Sequence, residues 1–247
     1  MSKVAKWILG VVVAAVAAFI TGKLTGLFAD LDDRLFPPTP ITVNVDNDPG
    51  CPLVFTAPAP DAQRALDTDH GREIDKRRAG GIDGDTSRVE LTVQGNTDKV
   101  VNITDMRVLV DKRSQPAGGF VIGECGGLQD VHVSEADLDQ QTNEATAVPQ
   151  AGRDNFGAPI PAALFPLRVT ASDPQVFELI ASTETCDCSW TIELSWTVGG
   201  KSGTITVDDH GDPFRTIGTG DRENFRTAYI DPNRQFVVLG PDGLPLK

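Results

Sequence analysis

Four cysteines, Cys51, Cys125, Cys186 and Cys188, and three histidines, His70, His132 and His210, carry the most specific chemistry in this chain. Two outcomes compete for the thiols. A Cys-x-Cys pair holds zinc or copper when further sulfur or imidazole ligands stand nearby. No histidine is close in sequence to Cys186 and Cys188, so oxidation is the stronger expectation. An even number of cysteines outside the cytoplasm reads as two disulfides. On an extended strand Cys186 and Cys188 point the same way, and their separation looks too large to bond without distortion. Each is therefore expected to reach a distant partner, one to Cys51 and the other to Cys125. All four stand as disulfide candidates, and no catalytic residue, cofactor or metal is assigned.

Other chemistry is sparse. The sequence contains no Gly-x-Ser-x-Gly elbow, His-Glu-x-x-His helix, phosphate-binding loop or dinucleotide fingerprint. Asp67-Thr68-Asp69-His70-Gly71 opens like a calcium loop, but Gly71 stands where a third oxygen ligand belongs. Asp46 with Asp48, and Asp208 with Asp209 and Asp212, are turn acids that either converge on a cation or simply face water. Three scattered histidines and many acids are the only raw material for an enzyme.

The elements that must position these residues read as strands. Ile41–Val45 and Val89–Val93 alternate apolar and polar residues. In Val101–Val110 the apolar parity changes: Val101 and Ile103 are odd, whereas Met106, Val108 and Val110 are even. A one-residue slip would turn every side chain to the other face, so a bulge is expected near Thr104-Asp105. Leu164–Ala171 and Gln175–Thr183 read as a pair around Ser172-Asp173-Pro174, and Asp137–Pro149 as loop.

The best-specified run is Cys186–Asp208. There Cys186, Cys188, Trp190, Ile192, Leu194 and Trp196 share one face before a glycine turn at Gly199–Gly203. The two indoles are expected to be packing anchors. The fold expected is mainly β: an antiparallel β-sandwich of immunoglobulin-like architecture, preceded by one N-terminal transmembrane helix.

That helix spans 7–28, where Trp7–Ile20 carries no charge and the first acid is Asp30. Twenty-two residues give about 33 Å, enough for a hydrocarbon core of ~30 Å. Lys23 lies near the far end, where its ammonium reaches the headgroups. Lys3 and Lys6 precede the span and Asp30, Asp32 and Asp33 follow it, which places the N-terminus inside and the body outside. A cleaved signal peptide is the competing reading. The best cleavage site, Leu27-Phe28-Ala29, has Leu where a small residue belongs.

The expected organisation is a cytoplasmic stub (1–6), the helix (7–28) and a proline-rich stem (29–40). A sandwich follows (41–218) with a long loop at 57–88, and then a weakly ordered tail (219–247). Residues 1–29 hold three lysines and no acid, so the rest carries 19 Lys and Arg against 35 Asp and Glu, a net charge of −16. Such a surface repels nucleic acid, and none is expected as a partner. The expected partners are the bilayer, through 7–28, and an envelope protein or wall component.

Thr185–Trp190, Glu193–Trp196 and Asp208–Thr216 together resemble exported domains of uncharacterised membrane-anchored proteins of high-GC actinobacteria. The resemblance covers roughly 89–216. It implies a bacterial envelope setting and brings no catalytic residues with it. The function expected is a binding or structural module of the envelope. A ligand-sensing ectodomain and a hydrolase with its site on the loops are the alternatives. The full-length chain is predicted to pellet with membranes and to resist carbonate extraction. Recovery of a soluble product starting near Asp30 would overturn the anchor.

Overall fold

The structure, a computed structural model, describes residues 39–47, 52–56, 63, 80–123, 132–153, 158–233 and 235–246. The expected membrane helix, most of the stem, Cys51 and Cys125 lie outside these residues. Among the described residues no helix is long and apolar enough to cross a membrane. Pro40–Lys247 forms one compact unit.

The first strands are β1 (Ile41–Asp46), β2 (Leu53–Phe55), β3 (Ile82–Gly84), β4 (Thr86–Gly95), β5 (Val101–Ser114) and β6 (Gly119–Ile122). Next come β7 (His132–Asp137), β8 (Glu144–Thr146), β9 (Val148–Pro149) and β10 (Gly152–Arg153), which pairs with β11 (Pro159–Ile160). The rest are β12 (Leu167–Val169), β13 (Gln175–Ser182), β14 (Asp187–Val198), β15 (Lys201–Val207), β16 (Phe214–Ile217), β17 (Phe225–Ile230) and β18 (Phe236–Val238). One sheet runs β1-β4-β13-β7-β9. The larger runs β12-β5-β14-β16-β3-β2-β6-β17-β18, with β15 also beside β14 and β8 beside β5.

Alternation in sequence explains why these sheets face each other. Val89, Leu91 and Val93 of β4 are fully buried, as are Cys188, Trp190 and Ile192 of β14. These residues join one hydrophobic cluster with Phe177 and Leu179 of β13 and Val108 of β5. Two sheets thus share a core, as in a β-sandwich, and each large side chain removed from water contributes ~1.5–3 kcal/mol. The parity change in β5 is resolved by a bulge at the expected place. Trp196 pairs with Ile103 and Ser195 with Asp105, which leaves Thr104 as the extra residue. Val101, Ile103, Met106 and Val108 consequently all reach the core with no exposed surface.

The β14–β15 hairpin closes through Gly199 and Gly200 alone, with Val198 paired to Lys201. Their φ values of 55° and 79° suit the type I′ turn that matches strand twist. The buried polar groups around Trp190 are paired, whereas Trp196 Nε1 has no hydrogen-bond partner among the described residues. Trp190 stacks on Phe214 at a centroid distance of 4.7 Å, and its Nε1 donates to Thr216 Oγ1 at 2.9 Å. The Thr216 hydroxyl is bonded in turn to Ser87 at 2.7 Å.

Several expectations need correction. The sheets are mixed, not antiparallel throughout, because β13–β7, β16–β3 and β17–β6 are parallel pairs. The loop expected at 57–88 does not hold over its last part, since β3 and the start of β4 fall there. Strand propensity there was hidden by Gly and Asp, which bond at a crossover between sheets. The runs around Ser172-Asp173-Pro174 are not partners: β12 pairs with β5, and β13 pairs with β4 and β7. The 137–149 segment is not simply loop, because β8 and β9 form inside it. Arg113 steadies its turn by donating to the carbonyls of Leu138 and Thr142.

The 219–247 tail is also corrected. After a 3-10 turn at Arg222–Asn224, β17 and β18 cover a second, smaller core. It contains Leu53, Phe55, Ile122 and Ala228, with Phe120 and Phe236 packed against it. The tail's apolar residues are sparse, and only their convergence with β2 and β6 makes a buried face.

Thr216→Val is predicted to leave the Trp190 N–H and the Ser87 hydroxyl without their partner and to cost ~1–3 kcal/mol in chemical unfolding. Adding Trp190→Phe should cost less than the sum of the two single changes. Strict additivity in that cycle would show that the bond contributes nothing.

Candidate functional site

Two places combine chemistry with defined geometry. The first is the corner where β14 begins. Cys186 and Cys188 are bonded to each other, with Cα atoms 5.3 Å apart. The sequence leads to an expectation of separate pairing with Cys51 and Cys125, which lie outside the described residues; the structure places Cys186 and Cys188 against each other instead. The physical reason is local. Cys186 lies in the turn just before β14 starts at Asp187, so the dipeptide is not fully extended and the Cα separation falls within disulfide range. A loop this short constrains the unfolded chain by only roughly 1.5 kcal/mol, about half the value for fifteen residues. The bond therefore shapes the corner more than it staples the domain.

Neighbouring groups hold the corner from three sides. Asp139 accepts from Thr183 Oγ1 at 2.7 Å, Glu184 N–H at 2.6 Å and Thr185 Oγ1 at 2.7 Å. Thr183 Oγ1 in turn accepts the Cys186 N–H at 3.1 Å. Asp85, with φ of 58°, accepts the Thr219 N–H at 2.7 Å and receives the Thr183 N–H on its own carbonyl at 2.9 Å. Gly218 passes so close that a Cβ there would collide with the Glu184 carbonyl. On the outer face Arg215 grips Asp187 with two bonds of 2.8 and 2.7 Å. Hydrogen bonding to Asp187 is the main cause of the raised Arg215 pKa. This cradle of N–H and hydroxyl donors is filled by the protein's own carboxylate, so it offers no vacancy to an external anion.

The second place is a groove of about 350 Å³ at one open edge of the sandwich. Val43, Asn44 and Val45 of β1 form one wall; Ile205, Thr206 and Val207 of β15 form the other, with Asp208 and His210 at the end. Among the described residues both walls belong to edge strands, since β1 pairs only with β4 and β15 only with β14. Val43, Val45 and Ile205 are half-buried against the main core, so the floor is apolar and the rim polar.

The turn beyond the groove spends its acids locally. Asp208 accepts the Gly211 N–H at 2.9 Å, and Asp209 accepts from Asn47 at 3.0 Å. Among the described residues no group of three His, Cys, Asp or Glu is gathered to hold a metal. His210 stands 3.5 Å from Asp209, but its side chain is 77% exposed. Sequence reasoning placed the Asp208 turn yet missed the groove, because β1 and β15 are about 160 residues apart and belong to different sheets. Clean alternation in both strands was the only available signal.

Asp139 gives a pH prediction. Partial burial would raise its pKa, but bonds from the Glu184 N–H and the Thr183 and Thr185 hydroxyls outweigh this, and the net shift is downward. A lowered folded pKa contributes stability that is present above the ordinary aspartate value of about 3.9. That stability is lost as pH falls through the folded value. Asp139→Asn should therefore be less stable than the parent at pH 7, with the gap shrinking below about pH 4. A gap constant from pH 7 to pH 2 in thermal melts would contradict this.

Comparison with family models, with curated proteins and with solved structures finds no match to this chain.

Proposed function

We propose that this chain is a non-enzymatic binding or structural module of a cell envelope, held by a membrane helix at 7–28 with its β body outside. The observation that carries the binding role is the groove between β1 and β15. It combines an apolar floor, a polar rim and main-chain edges, the composition of a peptide-sized recognition site. The lysine and aspartate asymmetry around 7–28 supports the orientation. The Cys186–Cys188 bond supports an oxidising compartment. The two-sheet core supports an immunoglobulin-like architecture, with the parallel pairs and the second core as departures from it. The resemblance to exported actinobacterial domains fits the same setting.

The enzyme alternative is weaker. Among the described residues His210 is the only imidazole at the groove, and it faces water where a general base would be enclosed with its substrate. No serine, cysteine or lysine among the described residues lines the groove to serve as a nucleophile. A sensing role remains the second reading, in which the body reports ligand occupancy to a membrane partner.

The test is photo-crosslinking in intact cells, with the reactive residue placed in turn at Asn44, Gln141 and Asp231. Covalent adducts with an envelope component are expected from at least one position. Absence of adducts at every position, in a chain shown to be folded and membrane-bound, would remove the binding role.

A further inference from the structure

We propose that the edge of β1 takes up an extended peptide segment of a partner protein, one that alternates apolar and basic residues, as an added strand. This rests on the binding role given above and names its mode and ligand.

Ladder parity is the first support. The Asn96 N–H donates to the Pro40 carbonyl at 2.8 Å, and Ile41 faces Gly95 in the next register position. In an antiparallel pair hydrogen-bonded positions alternate. Even-numbered residues of β1 therefore bond to β4, and the N–H and C=O groups of Val43 and Val45 point to the open side. An incoming strand would find two donors and two acceptors already in line, the pattern of β-strand addition.

Side-chain direction is the second support. Val43, Val45 and Ile205 line the groove and are partly buried against the main core. Every second residue of an added strand would project into that space, and apolar side chains would complete the core at its edge. The alternate residues would lie beside Thr42, Asn44 and Asp46, all exposed.

Charge selects the occupant. The chain carries −13 overall, and Asp46 stands on the outer face of the edge itself. A second copy of the chain brought edge to edge would place like charges together, whereas lysine or arginine at the outward positions would be drawn to Asp46. The edge thus discriminates against self-pairing and favours a basic strand.

The experiment uses the full chain in detergent micelles and labelled eight-residue peptides followed by fluorescence anisotropy. An alternating Val/Lys peptide should bind saturably. A Val/Glu peptide, and a Val/Lys peptide with alternate backbone nitrogens methylated, should each bind at least tenfold more weakly. Val43→Pro removes an outward N–H that β4 does not use and should weaken Val/Lys binding at least tenfold. Should that variant melt early, Asp46→Lys serves instead: it lies on the surface and should reverse the preference toward Val/Glu.

Equal binding of all three peptides, no binding by a folded chain, or dimerisation through β1 would each overturn the inference. The two proposals fail separately. Adducts in cells at Gln141 or Asp231, with none at Asn44, would sink strand addition and leave the binding role standing. No adducts anywhere would remove both.

Discussion

Pairing of β14 with β5 is the constraint on which the body depends. β14 sits between β5 on one side and β15 and β16 on the other, so its position fixes the centre of the larger sheet. Its inward face carries Cys188, Trp190, Ile192 and Leu194, all within 1% of full burial. Its outward face is clamped by charge, with Glu193 directly opposite Arg107 at 2.5 Å and Asp187 held by Arg215. Exposed pairs of this kind contribute little each. Their role is to fix register, since a slip of one residue would reverse both faces at once.

That register has consequences at both ends of β14. At its start, the strand's first inward residue is Cys188, and the turn before it brings Cys186 close enough to bond. The corner is then completed by residues from distant parts of the chain: Asp85 at the β3–β4 crossover, Asp139 after β7, and Gly218 after β16. At its other end, the glycine turn returns the chain as β15, whose outer edge becomes a wall of the groove. One strand therefore positions the cysteine corner and half of the binding groove.

The groove exists because the sandwich is left open on that side. The larger sheet continues past β16 through β3, β2, β6, β17 and β18, where the C-terminal strands extend it and a second core forms. Nothing equivalent, among the described residues, pairs with the outer edge of β1 or β15. Exposed edges invite pairing with other chains, and proteins restrain them with charge. Asp46, Asp208 and the acidic surface act in that sense here, and the same charges give the edge a preference among partners.

Much of the β architecture was legible in the residues themselves. Period-two alternation located β1, β4, β5 and β14, the parity change in 101–110 located the Thr104 bulge, and paired glycines located the hairpin turn. These features are local: each depends on side chains within about ten residues and on the two-residue repeat of a strand. Tertiary structure alone decided which strands became neighbours, why strands form within 219–246, and where a groove opens. It also decided which cysteines lie together, because the distance between Cys186 and Cys188 depends on the turn that the Asp139 carboxylate and the Asp85 carbonyl hold from afar. Sequence spacing states that two residues are close along the chain. It does not state the backbone angle at which distant contacts will hold them.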